Sequence, residues 1–221
     1  MEKLLAIVDT CFLQKIASQG SCPDNIKKIL DNSDYTPVAH KYVVEQEFGL
    51  HGYLQKLIDE GYITTVEYNE FLTDDFSKKI YEKQYVDIYN EIRNYLKSAG
   101  GRKQMPELKI PKGKTIYTHH IGGSSMGDVH MILMASFMRL PVFLSEDSDI
   151  MLLRDIAKRR LSLLTYQLQI YNTVDLLEQI AGKADLMISH NEFETIVKQV
   201  GERDNWAKLN AVWRDNHKKL L

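Results

Sequence analysis

Pro141–Asp149, PVFLSEDSD, decides how this chain is read: the apolar segment Val142 to Leu144 is followed within five residues by Glu146, Asp147 and Asp149. A short apolar run bounded by turn formers has the length of a buried strand. In an open α/β sheet ligands sit outside the carboxyl ends of the strands, so Ser145, Asp147 and Asp149 are expected at the rim of a site. The pattern occurs once more near the start, where Leu4 to Val8 (LLAIV) delivers Asp9. An acidic residue after a strand also serves as a turn former or helix N-cap, and Asp149 directly precedes the helix expected from Ile150. The weight therefore falls on the joint pattern of the whole chain.

Composition sets the outer bounds. With 221 residues the chain is long enough for one large domain, or a domain with an appended piece. Its 28 basic and 30 acidic side chains leave a formal net charge of -2, so any nucleic-acid site must be a local patch. Cys11 and Cys22 lack the spacing of a zinc site and are too few for a disulfide framework, which points to a reduced, cytoplasmic setting. Leu4 to Val8, broken by Asp9, is too short for a signal-peptide core. The longest later apolar run, Met131 to Met138, is far below the roughly 20 residues of a spanning helix, so no membrane partner is expected.

Taken in order, Thr10 to Ala17 has helical apolar spacing and stops at Gly20, so a strand feeds directly into a helix. Asp24 to Leu30 reads as a second short helix and Asp31 to Pro37 as turn. Pro37 suits the first turn of a further helix running to Gly61, with an interruption at Gly49 or Gly52. Its buried stripe is Val43, Val44, Phe48, Leu50, Leu54, Leu57 and Ile58; Glu47 falls inside that stripe and Glu45 points elsewhere. A carboxylate on the core side needs a proton, a hydrogen bond or a cation, which makes Glu47 the first choice for a site residue. A bend at Gly49 would turn Glu45 inward instead.

Tyr62 to Tyr68 reads as a strand and Asp74 to Lys97 as a helix whose tyrosine stripe is read as packing. Ala99 to Lys114 is a basic loop, with Arg102, Lys103, Lys109, Lys112 and Lys114 against Glu107. Cations in such a loop hold phosphates without reading bases. Lys114 to His120 reads as one more strand, in which His119 and His120 face opposite ways and make a poor metal pair. The helix from Asp128 to Arg139 is apolar on nearly every side and belongs deep in the protein. A helix running back against the next strand puts its first turn near that strand's carboxyl end, so Asp128 and Asp147 are expected to meet. Ile150 to Leu161 is a helix, Tyr166 to Tyr171 a last strand, and Asn172 caps the helix TVDLLEQIA. From Gly182 the chain is helical and polar, with Lys208, Arg214, Lys218 and Lys219 around Trp206 and Trp213.

This order of parts resembles the PIN-domain family of metal-dependent nucleases. The resemblance rests on a first strand ending in Asp (IVDT, Asp9), an early helical Glu (VVEQEF, Glu47 or Glu45), an Asp opening a buried helix (GDVHMILMA, Asp128), and SEDSD in place of the family's Thr/Ser-x-Asp-x-Asp signature. The closing QIYNTVDLLEQI is similar to the family's last strand and helix. The match spans residues 1–180, with 60–120 as an insertion and 181–221 as a helical C-terminal extension. It implies an α/β fold, a three-layer α/β/α sandwich around a mostly parallel sheet, binding Mg²⁺ or Mn²⁺ and hydrolysing RNA. Asp9, Asp128 and Asp147 would be metal ligands, and Glu47 or Glu45 would hold a water or a second metal. Ser145 would bond a ligand carboxylate, and Asp149 would serve the site or the helix cap. The basic loop would hold substrate. RNA is the partner implied; a second copy of the chain and an inhibitor protein stand open beside it. The separation of Glu47 from Asp128 exceeds the family's usual spacing, so the insertion is expected to cover, gate or extend the site. A catalytically silent scaffold of the same fold is the alternative, and clustered carboxylates favour the enzyme, because they repel one another unless a divalent cation neutralises them.

Overall fold

The computed structural model describes residues 3–98, 105–122, 125–147, 150–161 and 166–217. Among them, five parallel strands form one sheet in the order β3-β2-β1-β4-β5: β1 (Leu4–Val8), β2 (Tyr35–His40), β3 (Thr64–Val66), β4 (Val142–Leu144) and β5 (Gln169–Tyr171). Strands covered on both faces read as continuous apolar runs, which is why β1 and β4 are legible: Ala6 to Val8 and Val142 to Leu144 are all buried. Val8 lies opposite Leu144, and Leu144 opposite Tyr171. The ladder continues one residue further, with the Asp9 N–H donating to Leu144 O (3.0 Å) and the Ser145 N–H to Tyr171 O (3.0 Å). The chain steps from β1 out to β2 and β3, then returns to place β4 on the other side of β1. Asp9 and Ser145 therefore leave the sheet side by side at the point where the winding reverses, where such sheets open a crevice.

The helices are α1 (Thr10–Ile16), α2 (Asp24–Asp31), α3 (Lys41–Gln46), α4 (Gly52–Asp59), α5 (Tyr68–Phe71), α6 (Asp75–Ser98), α7 (Met126–Met138), α8 (Ile150–Ile156), α9 (Thr173–Ala181), α10 (His190–Gln199) and α11 (Trp206–His217). They fall into two sets. Helix α7 lies on β2 and β4 and meets α3, α5 and α6. Helix α1 meets α2 and α9, while α11 packs on α9. Lys27–Glu60 (2.8 Å) and Tyr62 Oη to Asp31 Oδ1 (2.8 Å) join the end of α4 to α2. The division is compatible with three layers.

Several sequence expectations are corrected. The helix expected from Pro37 to Gly61 is instead strand β2, helix α3, a 3-10 turn at Phe48–Leu50 and helix α4. Pro37 is tolerated in β2 because β3 pairs only from Val38 onward, so one side of the strand is still open where the N–H is missing. Leu50, expected in the buried stripe, is 79% exposed, because the 3-10 turn breaks the helical phase that would have carried it inward. The strand expected at Tyr62–Tyr68 shortens to Thr64–Val66, since Tyr68 already opens α5 behind a Glu67/Glu70 capping box. Lys114–His120 forms turns and no strand: Thr118 N–H donates to Thr115 O (3.1 Å), and Ile116 is buried as a plug. The strand at Tyr166–Tyr171 is confined to Gln169–Tyr171, and α8 gives way to a π-helical turn at Ala157–Leu161.

Three of the four tyrosines of α6 are core, and Tyr95 is half exposed. Tyr81, Tyr85 and Tyr89 are fully buried, and Tyr81 Oη meets His130 Nδ1 at 2.6 Å. The C-terminal helices share the main core through Phe193, Ile196, Leu209 and Trp213, and Trp213 stacks on Phe193 at 4.8 Å. Ser18 Oγ donates to Gln199 O (2.7 Å), and Lys15 pairs with Glu202 (2.8 Å). Lys208 pairs with Glu178, Arg214 is exposed, and Lys218 and Lys219 lie outside the described residues. Cys11 and Cys22 are free thiols. Among the described residues no helix is long and apolar enough to cross a membrane.

Candidate functional site

Asp9, Glu47, Asp128 and Asp147 line one cleft of about 320 Å³ at the switch point, together with Thr10, Cys11, Gln14, Leu50, His51 and Gly127. Each carboxylate comes from a different segment. Asp9 follows β1, Glu47 ends α3, Asp128 lies in the first turn of α7, and Asp147 follows β4.

Their surroundings fix them before any ligand arrives. Asp9 is only 5% exposed. Its Oδ2 accepts from Ser145 Oγ at 3.0 Å and from the Cys11 thiol. Ser145 Oγ also accepts from the Asp147 N–H at 3.2 Å, so one buried hydroxyl ties the ends of β1 and β4 together. Glu47 Oε2 accepts from Thr10 Oγ1 at 2.5 Å. Glu47 Oε1 lies where a side chain on residue 127 would stand, only 2.8 Å from an ideal Cβ, so glycine there lets the carboxylate reach the start of α7. Ser125, ahead of α7, bonds the Asp128 carboxylate.

Electrostatics show what the cleft lacks. Burial pushes Glu47 up to about 7, helped by the neighbouring Asp9 charge and opposed by Thr10. Asp9 is raised by burial and by Asp147, against the hydrogen bonds from Cys11 and Ser145. Asp128 is raised well above the ordinary carboxylate range by burial and then by Asp9, Asp147 and Glu47. Burial and Asp9 also push the Cys11 thiol up, so it stays protonated and serves as a donor. Among the described residues no Lys or Arg forms an ion pair with Asp9, Glu47 or Asp128. Like charges gathered in a half-dry cleft favour a cation or shared protons.

The fit to a metal is one of chemistry. Among the described residues no three His, Cys, Asp or Glu side chains come together closely enough to hold an ion directly. The carboxylate and hydroxyl oxygens nevertheless suit a hard divalent ion, and Mg²⁺ keeps several waters and needs only one or two carboxylates directly. Asp9, Glu47, Asp128 and Asp147 are the residues that would hold it.

Other expected site residues lie elsewhere. Glu45 is exposed on α3 and faces Lys41 at 3.6 Å, so the turn at Gly49 does not bring it into the cleft. Lys109, Lys112 and Lys114 are exposed and do not line the cleft, and Lys109 pairs with Glu107 at 3.3 Å. Arg102, Lys103 and Asp149 lie outside the described residues. His120 meets the Tyr42 hydroxyl at 3.1 Å, away from the cleft lining. Sequence reasoning missed Thr10, Cys11, Gln14, His51 and Gly127. Thr10 and Cys11 carried a signal in following Asp9 directly, and Gln14 lies one helical turn after Thr10 on the same face. Comparison with protein-family models, curated proteins and solved structures found no match.

Proposed function

We propose that the chain is a divalent-metal-dependent endoribonuclease built as a PIN-like three-layer sandwich. The observation that carries this reading is the gathering of Asp9, Glu47, Asp128 and Asp147, distant in sequence, around one cleft at the sheet's switch point. A bound Mg²⁺ or Mn²⁺ ion would supply an activated water and offset the charge that builds on the phosphate. The chain's own residues do the positioning. Ser145 and Cys11 orient Asp9 through its Oδ2, and Thr10 orients Glu47 through its Oε2. Ser145 also fixes the backbone that presents Asp147.

The test is Mn²⁺-dependent cleavage of labelled RNA by the wild type and by Asp147→Asn. A loss of about 100-fold or more is expected for the variant. One observation favours a second reading, a silent scaffold of the same fold: the carboxylates do not converge tightly enough to hold an ion directly. Absence of both cleavage and any Mn²⁺-dependent rise in Tm would decide for the scaffold.

A further inference from the structure

A second cavity, of about 260 Å³, shares no lining residue with the acidic cleft. Among the described residues it is lined by Tyr68, Asn69, Leu72, Lys78 and Tyr117, all from the stretch 60–120 expected as an insertion. Tyr68 opens α5 behind its capping box, Lys78 lies in the first turn of α6, and Tyr117 sits in the turn that Thr118 closes on Thr115. Two tyrosine rings and the buried Leu72 make the walls apolar.

These walls are locked before any ligand enters. The Tyr117 ring stands edge-on to Tyr68 at 4.8 Å, centre to centre, and stacks on the fully buried Tyr81 at 6.0 Å. Tyr81 is pinned in turn. His130 Nε2 donates to Ile116 O (3.1 Å), so His130 Nδ1 is the acceptor for the Tyr81 hydroxyl at 2.6 Å. Preformed walls of this kind need little ordering on binding. Two polar groups of the lining stand apart from this lock. The Tyr68 hydroxyl is buried with no hydrogen-bond partner among the described residues, a donor that an incoming acceptor would satisfy. Lys78 is half exposed and pairs with the exposed Asp75 at 3.8 Å, a surface contact that holds the ammonium weakly. The Tyr117 hydroxyl faces the Glu82 carboxylate, which leaves Tyr68 as the donor for a ligand.

We propose that this cavity binds a planar aromatic carboxylic acid, its ring between Tyr117 and Leu72, its carboxylate paired with Lys78 and accepting from the Tyr68 hydroxyl. The size fits such a ligand: a cavity of about 150 Å³ takes benzene, and this one has room for two fused rings. An aromatic ring meets the tyrosine walls favourably edge-on or offset, which an aliphatic acid cannot do. The site stands independently of the nuclease reading.

The experiment is equilibrium dialysis of the full chain, in EDTA, against 2-naphthoate and its neutral counterpart 2-naphthylmethanol. Wild type is expected to bind one equivalent of naphthoate saturably, about tenfold or more tighter than the alcohol. Lys78→Met should erase that preference by weakening naphthoate about tenfold while leaving the alcohol unchanged. Tyr68→Phe keeps the ring and removes only the hydroxyl, so naphthoate should bind about fivefold or more weaker. The ligand-free Tm of Tyr68→Phe should hold or rise, because a buried unpaired hydroxyl is gone. A lower Tm with unchanged affinity would make Tyr68 structural and overturn its role as donor. Absence of saturable binding, equal affinity for acid and alcohol, or unchanged naphthoate affinity in Lys78→Met overturns the proposal. Binding seen only with Mn²⁺ in place of EDTA would point to the acidic cleft and overturn it as well. Lys78 is a surface side chain, so its variant decides the matter even if Tyr68→Phe fails to fold.

Discussion

Gly127 shows how a single missing carbon shapes the cleft. A Cβ there would meet Glu47 Oε1 at 2.8 Å and Val43 Cγ2 at 3.4 Å. The nearer atom is the free end of a flexible carboxylate, so Gly127→Ala is expected to move Glu47 rather than break the fold. Alanine is favoured over glycine within a helix by about 1 kcal/mol, so the variant should be no less stable than wild type. Cleavage should nevertheless fall about tenfold or more, because Glu47 no longer reaches the start of α7. Thermal melts and cleavage assays on one preparation check both halves. Unchanged cleavage would mean that the position of Glu47 is immaterial.

At the scale of elements, the C-terminal helices are held by packing against the main core. Trp213 is nearly buried between Phe193 and His217. Trp213→Ala is therefore expected to cost about 3–5 kcal/mol, seen as a lower midpoint in urea, with the Mn²⁺ response of the folded protein preserved. A change of less than about 1 kcal/mol would show that α10 and α11 contribute little to the core. What could be read in advance followed the strength of local signals. β1 and β4 were legible because doubly covered strands are unbroken apolar runs ending in polar residues, and α9 because Asn172 and Asp175 form a capping box. β2 was not, because Pro37 signals a helix start and the apolar Val38 to Val44 run fits helix and strand alike. Leu50 was misread for a related reason: periodicity assumes an unbroken helix, and a 3-10 turn shifts the phase. Asp9, Asp128 and Asp147 were legible as strand-end and helix-start residues and Glu47 as a carboxylate on the core side of a helix, whereas His51 and Gln14 meet only through folding.

For the whole molecule, buried titratable groups set how stability responds to pH. Glu47, raised from the ordinary 4.5 to about 7, binds a proton more tightly when folded. Its stabilising contribution is full below about 4.5 and is lost as pH rises through about 7. Asp9 and Asp128 are raised as well and act in the same sense. His40 and His130 oppose them. Burial lowers both, His130 to about 3, so they withdraw stability as pH falls below 6.5. Above that point the carboxylates act alone. The ion-free protein should therefore lose stability between about pH 6.5 and 8, by an amount on the order of a few kcal/mol at most. Mn²⁺ should restore it at pH 8 and do little at pH 5.5. Melting curves with Mn²⁺ or EDTA across that range check this, and Asp128→Asn should flatten the loss. A Tm independent of both pH and Mn²⁺ above 6.5 would count against a charged, ion-seeking cleft.

Because all five strands run the same way, the cleft gathers at one pole of the sheet and leaves the opposite pole to the turns that lead into the strands. Asp34, which leads into β2 and is bridged to Lys183 at 2.7 Å, lies at that far pole. A fluorophore or surface tether attached at Asp34 would report on the molecule, or immobilise it, with the acidic cleft turned toward solution.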